Sequence, residues 1–475
     1  MIFNSTSFLF AFLPLFLILY YLLPNRLKNL CLLLGSLIFY AVGVRRQFWM
    51  FPLLLLSVLV NAAVGSRISQ SLLPRNRKRW LLRGIVWNLL WLLFFKYAGV
   101  FASLLTPLAA LLKQGHPTLA ATLSEPLPLP LGISFYTFAA LSYLIDVYRR
   151  EIRWERSLPR FATWFCMFPQ LISGPITRFQ ALRPALLRRS VNAARLEAGL
   201  REFTIGLGLK VLLADRIGGL WAAVGSIGYD SLSTLLAWLG IFAYSLQLYF
   251  DFYGYSLMAK GLGCALGFDL PDNFCYPYTA VSMTEFWRKW HMTLGAWFRD
   301  YVYIPLGGSR KGQGATFRNL LLVWLLTGIW HGATGHFLLW GLVLFLLISL
   351  EKLGLLQLFN RCRPLGHLYM LFAIPLTWLL FAAPSLPQIG IYLQRLFPFL
   401  ASTPLQYFAG DFLKYLQQYG VVLLTGFVFM TPLPRRLYER WKNHPAAALL
   451  LLLIFWLSVR GILLGANDPF LYFKF

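Results

Sequence analysis

The chain has 475 residues, 58% of them hydrophobic and only 13% charged, which excludes an ordinary soluble domain and a disordered chain. A net charge of +26 invites a nucleic-acid reading, but the Lys and Arg residues stand in short clusters between apolar runs, as the positive-inside bias arranges them, so no nucleic-acid partner is expected. The five cysteines, Cys31, Cys166, Cys264, Cys275 and Cys362, have no paired or zinc-type spacing and imply neither a disulfide frame nor a metal site.

The first apolar run, Phe8–Leu23, has no basic residue before it and no small-residue cleavage site after it, so it reads as a retained first span. Runs at Leu30–Val42, Leu53–Val64 and Trp87–Phe101 follow. Several fall short of the ~20 residues that an average bilayer core requires, which predicts tilted or re-entrant helices. The apolar segment Phe161–Ile176 lies between the basic clusters Arg149–Arg160 and Arg178–Arg201, so both its ends are expected on one side of the membrane. Pro169, Gly174 and Pro175 interrupt any helix there, and broken backbone at membrane depth needs protein or a water-filled cavity around it.

Further on, Leu235–Phe252 reads as a span, and Met283–Pro305, rich in Trp and Arg, as helices in or just beneath the interface. The run from Arg318 to Glu351 fits two spans parted at Gly332–Gly335, with His331 at the break, and Ala446–Leu457 is a late span. Assigning the basic clusters, from Arg26–Lys28 to Arg435–Lys442, to the cytoplasm places the N-terminus and the loops Thr106–Leu129, Gly225–Ser233 and Pro384–Gly410 outside. With no internal repeat, the expectation is an all-α, polytopic integral membrane protein, a single domain over residues 1–475 with roughly 10–13 helices by hydropathy.

Ionisable groups inside apolar segments cost roughly 2.5–3.5 kcal/mol each on insertion scales, so each asks for a partner or a function. They are Lys96, Asp146, Asp215, Asp251, Glu285, His291, Asp300 and His331, with His336 near the outer surface. Lys96 can snorkel from the end of its span. Asp146 and Asp251, flanked by aromatics, are expected to pair with an Arg or to hydrogen-bond tyrosines, and Arg299 with Asp300 to form such a network. His331, in TGIWHGATG, is either a base facing a cavity or a histidine hydrogen-bonded within the bundle. His291, in WRKWHMTLGAWFRDY after Arg288 and Lys289, is either a polar anchor or part of the chemistry. No HExxH, GxSxG or Walker A pattern occurs, which weighs against a zinc protease, a serine hydrolase and an ATPase.

Five blocks arrive in order: LPLGISFYTFAALSYLIDVYR (129–149), FPQLISGPITRF (168–179), LQLYFDFYGYSLMAKGLG (246–263), DNFCYPYTAVSMTEFWRKWHMTLGAWFRDYVYIPLGGSRKG (272–312) and TGIWHGATGHFLLWG (327–341). Together they resemble the membrane-bound O-acyltransferases (MBOAT), in particular the branch that O-acetylates alginate and peptidoglycan. The similarity starts at the N-terminal IFNSTSFLFAFLPLFLILYYLLP and runs to about Glu351, leaving residues 352–475 as C-terminal helices without an identifying motif.

The resemblance implies an MBOAT-type ring of tilted helices, with re-entrant and interfacial helices, around a central tunnel. It implies a catalytic histidine at His331 and a second functional histidine at His291. It also implies a thioester donor, acetyl-CoA, docking from the cytoplasm near Arg288, Lys289, Arg299 and Lys311, with no resident cofactor or metal. The implied acceptor is a serine on a periplasmic or membrane-anchored SGNH-type partner, and the implied location is the bacterial inner membrane. The third block departs from the family pattern at Tyr253, Leu257 and Lys260, and HMTLGAWFRDYV is shared in part with the branch that transfers D-alanine to teichoic acids. That shared block leaves D-alanyl transfer open; from other classes, a transporter that moves an acyl donor unchanged through broken helices and midplane polar groups and a structural scaffold for a secretion complex stand as alternatives.

Overall fold

The computed structural model describes residues 1–112, 125, 127–401, 404, 406–408, 410–465 and 470–471, so most of the expected outer loop Thr106–Leu129 lies outside the described residues. Among those residues the secondary structure is helical, with no strand. Five helices are long and apolar enough to cross a bilayer, or seven if each of two bent pairs is one span. Phe8–Leu22 and Lys28–Gly43 are shorter apolar helices. Leu34, Ile38, Leu59, Leu449, Leu452 and Trp456 are among many large apolar side chains left exposed on these helices, a surface that only lipid can solvate. The protein is a multi-pass membrane protein.

The chain divides into two compact units, one of Met1 with residues 11–190, the other of residues 2–10 with 191–475. In the first, Met50–Gln70, Pro74–Lys96 and Ile133–Arg149 pack on one another. Asn61 and Asn88 exchange reciprocal side-chain hydrogen bonds at 3.1 and 2.8 Å, the means by which polar residues tie helices together where water is absent. The segment expected to be broken leaves its helix after Leu158–Cys166, turns at Met167 and resumes only as Phe168–Leu171. Its polar groups are met by protein: Gln170 Nε2 donates to the Trp164 carbonyl at 2.6 Å, and the Thr177 hydroxyl donates to Gln170 Oε1. Irregular backbone in so apolar a segment needs protein to meet its polar groups in this way.

The second unit is built around Thr234–Ala265, a 32-residue helix whose side chains are buried almost along its whole length. Ala193–Gly208 lies against it so closely that a Cβ on Gly199 would sit 2.4 Å from the Gly261 carbonyl, and one on Gly206 would sit 2.5 Å from that of Gly254. Small residues at helix crossings are the usual solution where dispersion, and not water exclusion, drives association. The same helix passes through a π-helical stretch, Leu209–Ala214, into Asp215–Ile227.

Two further helices, Gln313–His331 and Gly335–Leu350, form the expected broken pair, parted after His331. Here too glycines permit backbone contact, since a Cβ on Gly341 would meet the Trp324 carbonyl at 2.5 Å. Met283–Lys289, Met292–Phe298 and the π turn Arg299–Tyr303 are each far too short to span. Arg363–Ala382, Asp411–Phe429 and Pro445–Leu463 complete the long helices of this unit.

Candidate active site

His331 is the last residue of its helix, where Gly332 takes over with an extended backbone. Its imidazole is boxed by rings, with centroids of Trp330 at 4.6 Å, Phe381 at 5.0 Å, Trp340 at 5.1 Å and Phe337 at 6.1 Å. Only 8% of the residue is exposed.

His291 comes from the short-helix segment. It caps Met292–Phe298 in the left-handed conformation, φ 43° and ψ 53°, a region that non-glycine residues occupy only when their surroundings hold them there. Asn273 does the holding. Its Oδ1 accepts from the Thr293 backbone N–H at 3.3 Å and the Thr293 hydroxyl at 2.9 Å, which identifies this atom as the oxygen. His291 Nδ1, 2.9 Å from the same atom, must therefore be the protonated nitrogen. The buried Nε2 then carries a lone pair, and no hydrogen bond is made to it within the described protein. Burial drives the imidazolium form down to a pKa of about 3, so this ring is neutral at working pH.

Both histidines line one cavity of about 620 Å³ in the second unit. Its walls are aromatic, including Trp287, Trp290, Trp324, Trp340, Trp378 and Phe381, and Arg288, Arg299 and Lys352 add positive charge. Of the four cations singled out from the sequence, Arg288 and Arg299 line this cavity. The other two do not: Lys289 is tied to Glu285 at 2.7 Å, and the Lys311 alkyl chain packs over Gly307. Arg299 also pairs with Asp300 at 2.6 Å, as expected.

Other residues of the site were not legible beforehand. Glu351 had served only to close an apolar run; its fully buried carboxylate accepts from the backbone N–H groups of Met283 at 2.5 Å and Thr284 at 2.8 Å, and from the Thr284 hydroxyl at 2.6 Å. It thereby fixes the start of the helix that carries Arg288. The following Lys352 is the cavity's third cation. Asn273 carried no signal except its place eighteen residues before His291.

Asp251, expected to meet an Arg or tyrosines, has a lysine among its partners: its Oδ1 pairs with Lys210 Nζ at 2.6 Å, and Lys210 also reaches Asp215 at 2.5 Å. Lys210, a lone cation inside the apolar run FTIGLGLKVLLA, meets the criterion that singles out Lys96 and belongs with the ionisable groups that ask for a partner.

A multi-pass helical chain that brings two imidazoles and three cations to one aromatic cavity has the outline of an integral membrane group-transfer enzyme. Residues 37–386 match the model of the MBOAT, membrane-bound O-acyltransferase family, and the chain belongs to that family. It is thus an O-acyltransferase. It is 39% identical over 404 residues to a probable alginate O-acetylase of Pseudomonas aeruginosa, covering 84% of this chain and 75% of that one. To a peptidoglycan O-acetyltransferase of Helicobacter pylori it is 35% identical over 428 residues, covering 81% and 78%. A teichoic acid D-alanyltransferase of Streptococcus thermophilus is 28% identical over 331 residues, covering 64% and 77%.

Proposed function

We propose that this chain moves an acetyl group from acetyl-CoA into the O-acetylation of a polysaccharide outside the cell, with His331 as general base. The observation that carries the reading is the single cavity shared by His331, His291 and the cations Arg288, Arg299 and Lys352. The donor's phosphates meet these cations from the cytoplasmic side, and its thioester lies among the indole rings. His291 Nε2, an acceptor by virtue of its Asn273 bond, receives an N–H of the donor and fixes its pose.

His331 takes the proton of an acceptor hydroxyl, the oxygen attacks the thioester carbonyl, and the C–S bond breaks as the new ester forms. The proton on His331 then passes to the departing thiolate. A positioned general base contributes ~10²–10⁴-fold in rate. The acceptor is a serine on an SGNH-type periplasmic or membrane-anchored partner that hands the acetyl group to the polymer, and the enzyme resides in the bacterial inner membrane. O-acetylation is favoured over D-alanyl transfer because the acetylating relatives match with higher identity and over more of this chain.

The test is acetyl-ester content of cell-surface polysaccharide in a strain lacking the protein, complemented with the unaltered chain or with His331→Ala at equal membrane abundance. Restoration by the first and its loss with the second is the expected pair of results. Full restoration by His331→Ala removes the base and revives the transporter reading.

A further inference from the structure

We infer that the C-terminal residues Phe470 and Leu471 form a hook that braces Phe252 against His291, which makes Phe470 a positioning residue for acyl transfer. The inference rests on the reading of the cavity given above.

The chain of contacts is short and lies wholly in the second unit. The Phe252 ring, which lines the cavity, stands edge-on to His291 at 4.7 Å between centroids. Behind it lies Phe470, 4% exposed, at 5.3 Å from Phe252 and stacked on Tyr255 at 5.0 Å. Tyr255 is in turn stacked on Phe3 at 4.8 Å. Asn273 grips His291 at Nδ1 alone, so the tilt of its ring about that bond depends on what presses against the faces and edges of the imidazole. Phe252 is such a contact, and Phe470 is its backing.

The hook is fastened by charge. Lys210, Asp215 and Asp251 place two carboxylates against one ammonium, with every side chain at most 4% exposed. Lys210 takes Oδ1 of Asp251, and the backbone N–H of Leu471 donates to Oδ2 at 2.8 Å. A hydrogen bond to an ionised group is roughly twice as strong as one between neutral partners, and it is stronger still out of water. Asp251 and Phe252 are adjacent on one helix, so a single turn of Thr234–Ala265 presents both the fastening point and the ring to be braced. This gives the buried acid of QLYFDFYGYS a purpose: it secures the hook directly behind a cavity wall.

The experiment uses membrane vesicles carrying the full chain, from cells lacking any other copy, and follows transfer of radiolabelled acetyl from acetyl-CoA into the polymer fraction. Phe470→Ala should lower kcat/KM for the donor about tenfold, a fraction of the ~10²-fold that a 1 Å misplacement costs. Phe470→Tyr should restore the rate to within about twofold, and in a His291→Gln background Phe470→Ala should cost nothing more, as two residues acting through one contact require. In parallel, mass spectrometry should show His291 carbethoxylated faster by diethyl pyrocarbonate in Phe470→Ala, with His331 unchanged. An equal loss in both backgrounds, or unaltered rate and unaltered modification, overturns the inference. If the unaltered chain transfers no acetyl, the reading of function fails, and the His291 modification alone decides the hook.

Discussion

His291 and His331 carry different constraints although they share a cavity. His331 is gripped by rings at the end of a helix, while His291 is held in a left-handed backbone conformation by one asparagine whose oxygen serves three donors. The second arrangement leaves a signature in stability. The folded pKa of His291, about 3, lies below the ~6.5 of an unfolded histidine. Between those values the unfolded chain binds the extra proton, so the contribution is intact above ~6.5 and is lost as pH falls toward ~3. The unaltered protein should therefore lose thermal stability faster than His291→Gln as pH drops from 7 to 5, by up to about 1.4 kcal/mol per pH unit. Parallel melting curves for the two across that range would contradict the buried neutral imidazole. At this scale the two histidines could be picked out from the sequence, because each is an ionisable residue in an aromatic, apolar setting. Asn273 could not, since its importance arises from a partner 18 residues away; Lys210 meets the same criterion as the histidines, but no local pattern encodes its pairing with Asp251, 41 residues on.

Among the elements, the break after His331 and the short helices of Met283–Tyr303 were legible because glycine, proline and charge punctuate the apolar pattern there. What punctuation does not convey is how the pieces are fastened. Glu351, beyond the far end of Gly335–Leu350, reaches back to cap Met283–Lys289, linking the helix that follows the His331 break to the one that bears Arg288. Glu351→Ala would leave two backbone N–H groups and the half-buried Thr284 hydroxyl without their acceptor, a loss of about 2–3 kcal/mol that melting in detergent should register. The same variant should weaken acetyl-CoA more than it slows the bound reaction, because Arg288 moves and His331 does not. A KM unchanged beside a fallen maximum rate would show that the cap serves the histidines instead. The glycine crossings at Gly199–Gly261 and Gly206–Gly254 were equally hidden, since four glycines in two apolar runs reveal their pairing only when the helices meet.

For the whole molecule, composition alone was enough to assign the bilayer, because a chain this apolar leaves side chains that only lipid can cover. The family, too, was legible, since several blocks standing in family order carry the resemblance, and the family model matches residues 37–386. The shared cavity was not: His291 and His331 are forty residues apart in separate elements, and the cations at the cavity proved to be Arg288, Arg299 and Lys352, where Lys289 and Lys311 had been expected beside the arginines. The central claim is that this cavity breaks a thioester and makes an ester with His331 as base. It is tested most directly by the purified chain in lipid vesicles with radiolabelled acetyl-CoA and a polymer-bearing membrane fraction, comparing the unaltered protein with His331→Ala. The account predicts covalent label in the polymer from the first and a loss of ~10²-fold or more from the second. Equal labelling by both would contradict it.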